Sequence, residues 1–328
     1  MQLLARYMSL ANILVLGGSG FLGRYLVPRL DAAGYSITVP TRRRERARHL
    51  ILLPQTDVAE MNISDDTILD RAMAGKDVVI NLVGILHGRV SDSNDPYGPD
   101  FRAAHVTLME RVLASAKRCK VRRLIQVSAL GVSDNDPATL PSRYLRSKAA
   151  AEKLIRESAL DWVIFRPSVI FGPGDSFLKL FAGLQRVAPA LAVPSADARF
   201  QPVFVGDVAD AIVKAVSDPA MVGKTYELAG PDVYTLRELI RLAGRYAGHE
   251  RRVFNLPPSL AHLQALVMEK LPGKTMMSRD NLLSMRIDNV ASGPMSPELR
   301  IVPTPLTSVA PTYLAPIESA YNAERARR

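Results

Sequence analysis

The sequence predicts an α/β fold: a doubly wound parallel sheet with a smaller, mostly helical C-terminal lobe. Three observations predict it. Ile13–Leu16, led by Ala11, form an apolar run of the kind found in a strand buried on both faces. Glycines follow at 17, 20 and 23, and Leu22, Leu26 and Leu30 then recur four apart, as on one helix face. Strand and helix patterns keep alternating as far as Phe171. A strand, a glycine turn and a helix make the first unit of a Rossmann-type dinucleotide-binding fold. Gly17 permits the tight turn, Gly20 lets backbone approach a pyrophosphate, and Gly23 lets helix and strand pack closely. Ser19, Phe21 and Leu22 complete the loop, and the free N–H groups of the helix N-terminus face the phosphates.

The first helix carries Pro28 and is expected to kink there. Short strands are expected at 36–40 and 56–61, a helix at 66–73, and a strand at 77–83. Residues 91–99 read as loop, 101–119 as a long helix, 123–128 as a strand, 142–158 as an Ala-rich helix and 162–166 as a strand. Gly172-Pro173-Gly174 then breaks the pattern. A helix at 177–187, a strand at 202–205, a helix from Asp207 to Val216 and a strand at 226–229 follow, with Asp207 as the N-cap. Beyond that, prolines punctuate helices joined by irregular chain. Residues 9–170, with 200–230 returning, are expected to form the nucleotide-binding domain, and 171–199 with 231–328 the smaller lobe. On 257–271, Leu260, Leu263, Leu266, Val267 and Leu271 share a face expected to pack inward or close a cleft, in preference to meeting a membrane or partner.

At 328 residues the chain can bury a large core, and 48% hydrophobic content is ordinary for a globular protein. No apolar run reaches the ~18 residues of a membrane span. No signal peptide is read at 1–10. A lone cysteine, Cys119, fits a reducing compartment, so the cytoplasm is expected. The net charge of +10 gathers at Arg42–Arg48 and in the tail at Arg325, Arg327 and Arg328, without interleaved aromatics. That pattern argues against nucleic acid and leaves a phosphate-bearing ligand or an acidic surface. Five scattered histidines offer no metal-ligand spacing.

The GxxGxxG spacing, with Asn81–Gly84, Val127–Gly131, Tyr144–Lys148, Arg166–Gly174 and Val203–Ala209, resembles the atypical, extended members of the short-chain dehydrogenase/reductase superfamily. On Arg166–Phe177, Phe200–Asp207 and Ser278–Met285, the chain more narrowly resembles the nucleotide-binding accessory subunit family of respiratory complex I and its bacterial relatives.

Tyr144 and Lys148, at i and i+4, share a helix face. The resemblance makes Tyr144 the general acid/base and gives Lys148 the cofactor ribose and the task of favouring the phenolate. It also implies a hydroxyl that orients the substrate oxygen. Here the pair reads Ser128-Ala129, so Ala129 takes the catalytic place and Ser128 stands one residue early. His105 stands near an asparagine of relatives and reads as an ordinary helix residue. Arg42, flanked by Thr41 and Arg43, follows the second strand where NAD-preferring enzymes carry a carboxylate, so NADPH is expected over NADH. Asn62 and Ile63 are expected to flank adenine, and Leu82, Val83 and Gly84 to line the ribose. Val127, Arg166, Pro167 and Val169 complete the cofactor contacts that the resemblance implies. The resulting expectation is an NADPH-binding protein whose cofactor is mainly structural or redox-sensing. It would act through a respiratory-chain or other protein partner, peripherally at the inner face of the membrane. The alternative is an active NAD(P)H-dependent oxidoreductase or epimerase on a small carbonyl or hydroxyl substrate.

Overall fold

The computed structural model describes residues 11–88, 95–133, 137–270 and 277–316. The expectations for 1–10, for the tail beyond 316, for Leu271 and for part of the loop at 91–99 lie outside these residues. The first half contains β1 (Asn12–Leu16), α1 (Gly23–Ala32), β2 (Ser36–Thr41), β3 (Thr56–Glu60), α2 (Asp66–Met73) and β4 (Val78–Asn81). A turn, α3 (Pro99–Phe101), then passes through a π-helical segment, Arg102–Thr107, into α4 (Leu108–Cys119). After these come β5 (Arg123–Val127), α5 (Arg143–Arg156) and β6 (Asp161–Pro167). The later elements begin with β7 (Ile170–Phe171), α6 (Phe177–Val187), β8 (Ala190–Pro194), β9 (Arg199–Phe200) and β10 (Val203–Phe204). They continue with α7 (Val205–Ser217), β11 (Lys224–Leu228), β12 (Tyr234–Thr235) and α8 (Leu236–Tyr246). Last are β13 (Arg252–Leu256), α9 (Pro258–Lys270), α10 (Arg279–Ser284) and α11 (Leu306–Leu314).

Seven strands form the central sheet in the order β11-β6-β5-β4-β1-β2-β3, and every pairing is parallel. The order reverses between β1 and β4. Such a switch point opens a crevice at the carboxyl ends of the strands. α1 and α7 cover one face, where Leu26, Val27 and Leu30 meet Val208, Ile212 and Val216. Leu69, Met73, Met109, Val112 and Ile155 from α2, α4 and α5 cover the other. A separate apolar core joins α6, α8 and α11 through Leu178, Phe181, Leu239, Ile240 and Leu306.

Several expectations change. α1 runs uninterrupted through Pro28. The helix expected at 101–119 contains the π-helical segment. The chain between 187 and 202 and the irregular chain after 230 conceal a parallel pair, β8 with β13, registered from Arg252↔Ala190 to Leu256↔Pro194. A five-residue strand whose partner lies this far along the chain leaves no local signal. Asp207 is not an N-cap, because α7 already begins at Val205; its carboxylate instead accepts from Thr304 N at 2.7 Å and Thr304 Oγ1 at 2.9 Å. On α9 the inward packing falls to Ala261 and Ala265, whereas Leu260, Leu263 and Leu266 are 50%, 56% and 36% exposed. Among the described residues, no helix is long and apolar enough to cross a membrane, and no cluster of potential metal ligands occurs.

Candidate active site

A cleft of about 1210 Å³ lies at the carboxyl edge of the sheet. Its floor begins at the turn after β1. Gly17 has φ +78°, and a Cβ there would stand 3.1 Å from the backbone of Leu82 and Val83, so the glycine turn and the chain after β4 approach as only glycine allows. At Gly23 a Cβ would fall 2.0 Å from Gly18 O. The helix start is therefore pressed onto the turn. No side chain caps α1, and Arg24 N donates to Gly20 O at 3.2 Å and Tyr25 N to Leu22 O at 3.0 Å, so an anion in the cleft meets the glycine loop and the positive end of the helix dipole.

Beyond β2, Thr41 Oγ1 donates to Arg43 O at 3.0 Å and fixes the turn that carries the arginines. Arg42, Arg43 and Arg46 line the cleft from exposed positions, with Asn62 and Ile63 across from them. Two carboxylates belong to this neighbourhood: Glu45 stands among the arginines, and Glu60 accepts from Arg44 N at 3.4 Å.

The part of the cleft that carries Tyr144 and Lys148 is built by α5. Ser142 Oγ caps Leu145 N at 3.2 Å, and the Asp280 carboxylate, brought from α10, accepts from Arg143 N at 2.7 Å and Tyr144 N at 3.1 Å. Ser284 Oγ donates to Ser142 Oγ at 2.9 Å. The C-terminal segment thus clamps the turn that bears Tyr144. Burial pushes the Tyr144 phenol well above its usual value near 10. Lys148 Nζ donates to Val127 O at 3.2 Å and would stand 3.3 Å from a Cβ on Gly84. Burial lowers the Lys148 ammonium to about 8, against the opposing pull of the Glu152 carboxylate.

His105 lies in the π-helical segment and is buried. Its Nε2 accepts from Ile85 N at 3.2 Å, and its Nδ1 lies 2.8 Å from Ser147 Oγ. Ser147 Oγ spends its single proton on Tyr144 O at 2.7 Å, so Nδ1 must donate. The imidazole is therefore neutral, with its proton on Nδ1. Burial first, and Lys148 second, drive its pKa down to about 2. His105 is not an ordinary helix residue: it ties the backbone after β4 to the helix of Tyr144.

Ser128 and Ala129 both line the cleft. Strand alternation would put them on opposite faces, but β5 ends at Val127 and the alternation ends with it. Among the described residues, Ser128 Oγ is buried without a hydrogen-bond partner. Gly17, Ser19, Gly20, Phe21, Leu22, Thr41, Leu82, Val83, Gly84, Val127, Pro167 and Val169 all line the cleft with Tyr144 and Lys148. Gly23 and Arg166 do not. Gly23 is committed to the contact with Gly18, and the Arg166 guanidinium turns to the fully buried Glu152 at 2.7 and 3.1 Å. Sequence reasoning missed Asp280, whose partners lie 136 and 137 residues away, and Arg111, whose Nη2 is buried at the cleft without a partner among the described residues.

Fold and cleft together define a dinucleotide-binding protein of the extended short-chain dehydrogenase/reductase class. The model of the NAD dependent epimerase/dehydratase family matches residues 13–229, and the chain belongs to that family. It is 34% identical over 295 residues to NADH dehydrogenase [ubiquinone] 1 alpha subcomplex subunit 9, mitochondrial, of Arabidopsis thaliana, covering 85% of this chain and 70% of that protein. It is 28% identical over 256 residues to the ceramide reductase of Caulobacter vibrioides, covering 78% and 77%. The solved UDP-glucose 4-epimerase of Thermotoga maritima shares the fold at a TM-score of 0.66 and 17% identity, covering 97% of this chain and 100% of that one.

Proposed function

We propose that this protein binds NADPH across the cleft and reduces a carbonyl, with Tyr144 as proton donor. The buried Ser128 Oγ carries the reading. An unpartnered buried hydroxyl costs free energy, which a ligand oxygen in the cleft would recover. The glycine turn and the dipole at the start of α1 would hold the pyrophosphate, and Arg42 and Arg43 the 2′-phosphate. When bound, the dihydronicotinamide supplies a hydride. Tyr144 gives its proton to the carbonyl oxygen, Ser128 orients that oxygen, and Lys148, still charged at pH 7 with its pKa at about 8, lowers the phenol pKa. The reductase among its relatives supports this chemistry.

A second reading, a bound cofactor serving structure or redox sensing, draws on Ala129 standing in the family's catalytic place and on the similarity to a respiratory subunit. That similarity and the charge of +10 support a protein partner and a peripheral, cytoplasmic seat at the inner face of a membrane under either reading. The test is Tyr144→Phe. Turnover of NADPH with a carbonyl substrate should fall by ~10²–10⁴ while nucleotide affinity holds. Equal turnover in both proteins would remove Tyr144 from the chemistry.

A further inference from the structure

We infer that the substrate half of the cleft takes a ketone carrying a long alkyl chain and does not take a nucleotide sugar. The inference rests on the reductase reading above and concerns the wall opposite the cofactor residues. Leu86, Phe177, Leu180, Met277, Met285 and Ile287 line that wall, each partly or largely exposed. They come from the chain after β4, from α6 and from the segment around α10, so three separate stretches present apolar side chains to one space. Apolar side chains left accessible in a concavity gain by covering one another or an apolar guest.

Charge argues the same way. The cationic side chains along the described cleft, Arg42, Arg43, Arg46, Arg111 and Lys148, come from the chain after β2, from α4 and from α5, and none comes from the three stretches of the apolar wall. On the substrate side, the basic group among the described lining residues is His87, which burial holds below its usual pKa and therefore neutral at pH 7. A nucleotide sugar brings a diphosphate that calls for cations or a bank of free donors. His87 Nδ1 is buried without a hydrogen-bond partner among the described residues, whereas an amide and two carboxylates on this side are engaged. Asn289 Oδ1 accepts from Ser168 Oγ at 2.6 Å and Val169 N at 3.0 Å. Asp288 pairs with Arg199, and Asp175 accepts from Gly172 N, Leu178 N and Tyr313 Oη. These two lining carboxylates add negative charge to this side, which disfavours a diphosphate.

The cleft also has room. Its volume of about 1210 Å³ exceeds the roughly 300–1,000 Å³ of a pocket for one drug-sized ligand, so a chain can lie beside a cofactor. A flexible guest whose carbonyl sits at Tyr144 would run its tail along Leu180 and Met285.

The experiment loads the full-length protein with NADPH and titrates it with 2-alkanones of four to twelve carbons and with UDP-glucose. NADPH fluorescence reports binding, and its disappearance reports turnover. Affinity is expected to rise about threefold to fourfold per methylene until the wall is covered, and UDP-glucose is expected not to bind. Leu180→Ser should flatten the gradient and leave NADPH affinity unchanged. A flat chain-length series, or tighter binding of UDP-glucose than of the longest ketone, overturns the inference. A steep binding gradient without turnover supports the apolar site and defeats the reductase reading alone.

Discussion

His105 is buried as a neutral imidazole, and its removal makes a sharp prediction about acid stability. The perturbation is His105→Gln, which keeps an acceptor for Ile85 N–H and removes the titration. In the folded protein the His105 pKa is about 2, whereas an unfolded histidine titrates near ~6.5. Below that higher value the unfolded chain takes a proton that the folded chain refuses. Stability contributed by the neutral ring is present above about pH 6.5 and lost as pH falls, at about 1.4 kcal/mol per pH unit. Between pH 7 and pH 5 the loss comes to about 2 kcal/mol. Any folded pKa below about 4 gives the same figure, so the prediction does not hang on the exact shift. Urea unfolding of both proteins at pH 7, 6 and 5 supplies the test. Wild type, more stable at pH 7, should see its advantage over the variant shrink by about 2 kcal/mol at pH 5. Parallel curves, within about 0.5 kcal/mol, would mean that His105 is not held neutral and that the tautomer deduced from Ser147 is wrong.

Three further outcomes follow from the same contacts. Gly23→Ala would set a methyl 2.0 Å from Gly18 O, backbone against backbone, and should cost about 3 kcal/mol in urea unfolding; a cost under about 0.5 kcal/mol would contradict the packing. Asp280→Ala leaves the N–H groups of Arg143 and Tyr144 without their acceptor and should lower stability by about 2 kcal/mol. It should also reduce kcat more than the KM for NADPH, and unchanged kcat would show that the clamp does not position Tyr144. Glu60→Gln removes a carboxylate that touches the arginine loop at Arg44 N and should tighten NADPH more than NADH, whereas an equal effect on both would place the 2′-phosphate elsewhere.

The parts of the site that can be read from sequence are those imposed by local covalent geometry. Gly17 needs its positive φ and Gly23 its missing Cβ wherever the chain goes next, so their spacing announces the turn. Arg42 is legible because it follows a strand by one step, and Tyr144 with Lys148 because i and i+4 share a face. For Ser128 the limit is local: β5 ends at Val127, and strand alternation fixes no facing for the chain beyond it. What sequence hides is long-range. Asp280 reaches Tyr144 from 136 residues away, Thr304 reaches Asp207 from 97, and β13 finds β8 across the whole of α7 and α8. On α9 the three leucines suggested a packed face, but alanines at 261 and 265 allow closer approach and leave the leucines outside.

The central claim is that this cleft holds a phosphorylated nicotinamide dinucleotide against the arginines after β2. Isothermal titration of the full-length protein with NADPH and NADH tests it directly, in parallel with Arg42→Ala. The account predicts saturable heat with NADPH, affinity for NADH lower by about tenfold or more, and loss of that preference in the variant. No heat with either coenzyme, or a preference that survives removal of Arg42, would contradict it.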